Sequence, residues 1–135
     1  MKVNLTLKND NIFEATNERG ITIDLGAGIE SGPSPMEVLL MAVGGCSGID
    51  VLSTLKKMRQ PISGLKISVA GTRRDEHPRY FTEVQVTYKL SGDLESAKVQ
   101  RAIELSLDKY CSVSNMIEPK AKVSYKYEII GGDSN

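Results

Sequence analysis

The strongest constraint in this sequence lies at Ser34-Pro35-Met36-Glu37. Ser at an N-cap, Pro at the first helical position and Glu three residues after the cap form a capping box with its preferred proline. A helix therefore begins at Pro35 and runs to about Met58, where Gln60-Pro61 stops it, because a residue before proline is pushed out of the helical region. Its first half, Val38 to Val43, is apolar on every face. Such a helix has to be enclosed all round, and one small sheet covers a single side. A second subunit is the obvious source of the remaining cover. Gly44, Gly45 and Gly48 stand in the helix interior, where each costs about 0.5–1 kcal/mol relative to Ala. Gly44 and Gly48 share a face and would let another helix approach closely.

The flanking segments change period. Val3, Leu5 and Leu7, then Ile12 to Thr16, then Ile21, Ile23 and Leu25 place apolar residues at alternate positions, which predicts three half-buried strands. Asn9-Asp10 and Thr16 to Gly20 carry turn chemistry, so the three form an antiparallel meander, ended by a glycine-rich loop from Gly26 to Pro33. After Pro61, Leu65, Ile67 and Val69 pair with Val84, Val86, Tyr88 and Leu90 as a long hairpin around the polar turn Arg73 to Arg79. Asp93 is placed to cap a second helix, Leu94 to Tyr110, with the apolar stripe Val99, Ala102, Ile103, Ser106, Tyr110. A break at Cys111 to Asn115, a short helical turn ending at Pro119, and a last strand bearing Val123, Tyr125, Tyr127 and Ile129 complete the order βββ-α-ββ-α(α)-β. This is an α+β fold with an antiparallel sheet around a long buried central helix, in a single domain over residues 1–135. Gly131 to Asn135 should fray.

Composition excludes several functions. With 17 basic and 17 acidic side chains the net charge is zero, which removes the general electrostatic attraction on which nucleic-acid binding depends. The N-terminus lacks an apolar signal core and no stretch reaches the roughly 18 apolar residues of a membrane span, so a cytoplasmic protein is expected. In that compartment thiols stay reduced, and the two cysteines, Cys46 and Cys111, are catalytic, redox-sensing or inert rather than a structural staple.

A Cys inside an apolar helix is by default a small buried hydrophobe. Three glycines around Cys46 shift that balance, since they leave room beside the sulfur for a small substrate, and both readings stay open from position alone. Cys111 precedes Ser112 and Ser114 at a helix start, where free N–H groups and the dipole would stabilise a thiolate and lower its pKa. Together the two have a chemistry neither has alone. One thiolate attacks a peroxide oxygen and becomes a sulfenic acid, and the second thiol condenses with it to a disulfide.

The stretch Ser34-Pro35-Met36-Glu37-Val38-Leu39-Leu40-Met41-Ala42-Val43-Gly44-Gly45-Cys46, with Lys109-Tyr110-Cys111-Ser112-Val113-Ser114-Asn115 some 65 residues later, resembles the OsmC/Ohr family of thiol-dependent peroxidases, and most closely its small OsmC-like branch. The resemblance implies an intertwined homodimer with active sites at the subunit interface and no cofactor. It also implies reduction of a small organic hydroperoxide by Cys46, resolution by Cys111, and re-reduction by a dithiol such as a lipoyl group. The family adds an Arg and a Glu. Arg19, in the turn Glu18-Arg19-Gly20, is the nearest candidate for the first, to stabilise the thiolate and orient the peroxide. Met36 stands where the family has its Glu, and Glu37 follows one residue later. On a straight helix nine residues amount to about 900° of rotation and about 13.5 Å of rise, so Glu37 and Cys46 point to opposite faces, and the capping box already accounts for Glu37. Asp50, one turn beyond Cys46, disfavours the thiolate.

The competing function is a non-enzymatic small-ligand-binding or redox-sensing protein on the same fold; a hydrolase or transferase using Cys46 is more distant. His77, the single histidine, sits in a polar turn, leaving a zinc site short of ligands. The loop Gly26 to Gly32 has its third glycine one residue late for a dinucleotide fingerprint, and no parallel βαβ unit follows.

Overall fold

The structure is a computed structural model that describes residues 1–27 and 32–131. The centre of the glycine-rich loop (28–31) and the end expected to fray (132–135) lie outside the described residues. The elements are β1 (Val3–Asn9), β2 (Ile12–Asn17), β3 (Thr22–Gly26), α1 (Pro35–Lys57), β4 (Ile62–Arg73), β5 (Phe81–Gly92), α2 (Ser96–Leu105), a π-helical turn (Ser106–Tyr110), α3 (Ser112–Ile117) and β6 (Lys122–Ile130). The order is the predicted α+β one. The chain divides into two compact units, Met1–Leu39 and Leu40–Asn135.

In the first unit β1-β2-β3 form the expected antiparallel meander. Asp10 turns between β1 and β2 at φ 40°, and the Asn17 side chain accepts the N–H groups of Arg19 and Ile21, each at 3.0 Å, to close the turn into β3. Pattern and burial part company on β1. The alternation predicts half-burial, yet the whole strand is exposed, Val3, Leu5 and Leu7 included. The capping box forms as predicted: Glu37 N–H donates to Ser34 Oγ at 3.2 Å, and Ser34 N–H donates to Glu37 Oε1 at 2.9 Å.

The second unit holds the core. Its sheet has the order β4-β5-β6, with β5 in the middle. Val84, Val86, Tyr88 and Leu90 alternate along β5 and are fully buried, together with Val43, Val51 and Leu55 of α1 and Val99, Ala102 and Ile103 of α2. Each large aliphatic side chain among them contributes about 1.5–3 kcal/mol. The β4–β5 hairpin is antiparallel, but β6 runs parallel to β5, which corrects the expectation of a wholly antiparallel sheet. The connection from β5 to β6 carries α2 and α3, and a helical crossover of that length returns a strand in the same direction.

The central helix differs from expectation in three respects. By length and composition alone α1 could cross a membrane, with an 18-residue window of mean hydropathy 1.8, contrary to the reading that no stretch reaches that threshold. One face of it, Val43, Gly44, Ser47, Gly48, Val51 and Leu55, is instead buried in protein. The glycines on that face accommodate a strand and not a helix: a Cβ on Gly44 would meet Val69 Cγ2 at 3.0 Å and one on Gly48 would meet Ile67 Cδ1 at 2.9 Å, both on β4. Finally, Met41 and Ile49 of the same helix stay 59% and 70% exposed, so the described residues of one chain do not enclose it all round.

Asp93 does not cap α2. The helix begins two residues later than expected, after Glu95, whose N–H donates to the Gln60 side chain at 2.8 Å.

Candidate functional site

The site is built where α1 faces the junction between α2 and α3, within the second unit. Cys46 and Asp50 lie one turn apart on α1 and are both half-buried. Cys111 reaches them because the helix that precedes it changes pitch. Cys111 N–H donates to Ser106 O at 2.6 Å, an i to i−5 bond that defines a π turn, a form that recurs at functional sites. The extra residue rotates the remainder of the turn, so Leu107 faces inward while Tyr110, expected on the apolar stripe, is left exposed. Cys111 then leaves the helix with extended backbone and becomes the N-cap of α3. Asn115 fixes the corner by donating its side-chain amide to Leu107 O and Cys111 O at 3.2 and 2.8 Å.

Both cysteines are free thiols. The two sulfurs and an Asp50 carboxylate oxygen all lie within 4.8 Å of one another. Their environments are unequal. Cys46 is half-buried, whereas Cys111 is fully buried, with Ser114 N–H donating to its sulfur at 3.4 Å. The expected lowering of the Cys111 pKa is overturned in sign. Burial pushes the thiol up from its ordinary value, outweighing the Ser114 hydrogen bonds, and the adjacent Cys46 pushes the same way. A six-residue helix offers too little dipole to reverse that.

Behind the sulfurs runs a buried hydroxyl chain that sequence reasoning missed. Tyr88 Oη lies 2.6 Å from Ser47 Oγ, which lies 2.8 Å from Ser106 Oγ, and Ser106 donates to Asp50 Oδ2 at 3.1 Å. The directions follow from the last bond. Ser106 spends its one proton on Asp50, so Ser47 donates to Ser106 and Tyr88 donates to Ser47. Burial raises the Tyr88 pKa to about 12, which keeps it a donor at neutral pH. The signal was present in the sequence: Ser47 and Ser106 occupy buried-face positions of two helices, and buried hydroxyls require partners.

The glycines beside Cys46 do not all open space for substrate. Gly44 and Gly48 are used against β4, while Gly45 has open space around its Cα. A cleft of about 540 Å³ instead runs beside Asp50, lined by Ser53, Thr54, Lys57, Met58, Leu105 and Tyr110. Arg19 lies in the exposed turn between β2 and β3, Glu37 is held in the capping box, and His77 lies in the exposed turn of the β4–β5 hairpin.

The family profile described as OsmC-like protein matches residues 28–126. Protein YhfA of Escherichia coli (strain K12) is 42% identical over 118 residues, 87% of each chain. The crystal structure of a hypothetical protein from Aquifex aeolicus VF5 is 35% identical, with a TM-score of 0.84 over 96% of each chain. The organic hydroperoxide resistance protein OhrB of Bacillus subtilis shares the fold at 17% identity, with a TM-score of 0.65 over 95% of this chain and 98% of that one. By profile and by sequence, the chain belongs to the OsmC/Ohr family.

Proposed function

We propose that this chain reduces small organic hydroperoxides with its two thiols. The observation that carries the reading is the pair of free sulfurs within 4.8 Å, one half-buried and one fully buried. The accessible Cys46 thiolate attacks the distal peroxide oxygen. The O–O bond breaks, the alkoxide takes a proton to leave as alcohol, and Cys46 becomes a sulfenic acid. Cys111 then attacks that sulfur, forming a disulfide and releasing water, and a dithiol reductant such as a lipoyl group restores both thiols by exchange. The kinship with an organic hydroperoxide resistance protein supports the substrate class, and the cleft beside Asp50 offers it room.

Arg19 and Glu37 are the assistants in this reading. Arg19 supplies the cation that orients the peroxide. Glu37 has a structural use as well, and Glu37→Gln separates the two, since Gln also completes a capping box without the charge. The working form is a cytoplasmic homodimer. Met41 and Ile49 on α1, with Val3, Leu5 and Leu7 on β1, are large apolar side chains exposed in the single chain, and a second copy would cover them.

The test is consumption of cumene or tert-butyl hydroperoxide with a dithiol, in wild type, Cys46→Ser and Cys111→Ser. Turnover is expected in wild type only, with Cys111→Ser stalling as a sulfenic acid after one equivalent of peroxide. If wild type shows no turnover and Cys46 resists alkylation at neutral pH, the peroxidase reading is lost and non-enzymatic ligand binding replaces it.

A further inference from the structure

The same cluster has a property that does not depend on peroxide turnover. Two thiols and a carboxylate converge from α1 and the α2–α3 junction, with every pair of donor atoms within 4.8 Å. Tetrahedral zinc, with Zn–S bonds of about 2.3 Å and Zn–O bonds of about 2.0–2.2 Å, sets ligand atoms about 3.6–3.8 Å apart. That spacing falls inside the 4.8 Å within which the donor atoms already lie, and Cys46 and Asp50, half-buried and one turn apart, are the ligands placed to close the remainder.

The surroundings are those of a supported ligand set. Asp50 uses Oδ2 to accept from Ser106, leaving Oδ1 for a cation, and Ser106 is itself held by Ser47 and Tyr88. Ligating carboxylates are characteristically oriented by such outer hydrogen bonds. Cys111 is fixed by the Ser114 N–H, a donor that favours sulfur in its anionic form. Burial opposes the bare Cys111 thiolate, but a divalent cation reverses that balance by deprotonating a thiol it binds. Cys46 and Asp50 leave one side of the cluster open to solvent as an entry path.

We propose that the reduced protein binds a thiophilic divalent cation of the zinc class through Cys46 Sγ, Cys111 Sγ and Asp50 Oδ1, with the fourth position open. Two thiols lose their protons to solvent as two metal–sulfur bonds form. The cation and the Cys46–Cys111 disulfide are mutually exclusive, because oxidation removes both thiolates. Bound metal thus holds the pair reduced and unreactive, and metal supply becomes an input to a thiol site.

Cobalt titration of the reduced full-length protein, without oxygen, tests this. One equivalent of Co²⁺ should give the visible bands of a tetrahedral site with ultraviolet thiolate-to-cobalt charge transfer, release two protons per site, and be displaced by Zn²⁺. Cys46→Ser, Cys111→Ser and the disulfide form should lose the charge-transfer band. Asp50→Asn, which keeps an oxygen for Ser106, should weaken binding at least about tenfold. Circular dichroism establishes that each variant is folded. An octahedral spectrum without charge transfer, binding that survives oxidation of both cysteines, or Asp50→Asn binding as tightly as wild type each overturns the proposal. Loss of hydroperoxide turnover with cobalt binding intact would remove only the peroxidase reading.

Discussion

Ser47→Ala tests the hydroxyl chain behind the sulfurs. Ser47 is fully buried and makes two short hydrogen bonds, at 2.6 Å to Tyr88 and 2.8 Å to Ser106. Each such bond contributes about 1 kcal/mol net, and leaving a buried hydroxyl unpaired costs about 1–3 kcal/mol. Ser106 keeps Asp50 as a partner after the substitution, but Tyr88 Oη loses the hydrogen bond that satisfies it. The expected loss is therefore about 2–4 kcal/mol. Tyr88→Phe removes the tyrosine hydroxyl while Ser47 retains Ser106, so about 1 kcal/mol is expected. In the double variant no hydroxyl is orphaned, and its loss should fall short of the sum by about 1–2 kcal/mol. Urea unfolding followed by circular dichroism, at one fixed protomer concentration, measures all three. A Ser47→Ala loss below about 1 kcal/mol, together with strict additivity in the double variant, would refute the chain as a stabilising network.

The other predictions concern pH and the helix glycines. Because the folded Tyr88 pKa, about 12, lies above its ordinary value of 10.0, its contribution is fully present below pH 10 and is lost as pH rises toward 12. That loss amounts to roughly 3 kcal/mol and should vanish from the stability–pH curve of Tyr88→Phe. The Cys111 thiol is likewise raised above 9.0, so closure of the disulfide from a Cys46 sulfenic acid should accelerate steadily as pH rises from 7; stopped-flow rates that are flat from pH 7 to 10 would contradict it. Gly44→Ala sets a Cβ 3.0 Å from the stiff Val69 side chain and should destabilise by about 1–3 kcal/mol in thermal or urea unfolding. Gly45→Ala meets nothing within 4 Å among the described residues and should stabilise one chain by about 0.5–1 kcal/mol; a loss instead would show a second copy seated on that face.

Legibility in the sequence followed the range of the interactions. The capping box, the Pro61 stop and the turn at Asn17 rest on contacts within a few residues and are where the pattern put them, whereas the break expected over Cys111 to Asn115 narrows to Cys111 alone, α3 already beginning at Ser112. The parallel pairing of β6, the true start of α2 and the π turn are decided by distant partners. Gln60 claims the Glu95 N–H across 35 residues, and no local signal at Asp93 reports that competition. The glycines of α1 were visible as close-approach positions, but whether a helix or a strand would approach was not, since either needs only a missing Cβ. Both cysteines and Asp50 were legible from motif and helical spacing. The chain from Tyr88 to Ser106 left only a partial signal, two serines at buried-face positions; their partners were not legible, because each member also fits an apolar pattern on its own element.

In the proposed reaction, the reversed sign at Cys111 favours Cys46 as the first sulfur to attack. A helix N-terminus and a serine N–H point toward a reactive thiolate, and on those grounds alone either cysteine could attack first. Full burial outweighs them: Cys111 is favoured as a neutral thiol until its partner sulfur becomes electrophilic, while Cys46, with solvent on one side, can meet a peroxide. The π turn is what permits this division. By adding one residue before Cys111 it turns Tyr110 outward and sets the sulfur inside, beside a helix whose own cysteine stays accessible. A regular α-helical turn would change the phase of Cys111 by about 100°, separating the sulfurs and removing the proposed redox pair and the proposed cation site together.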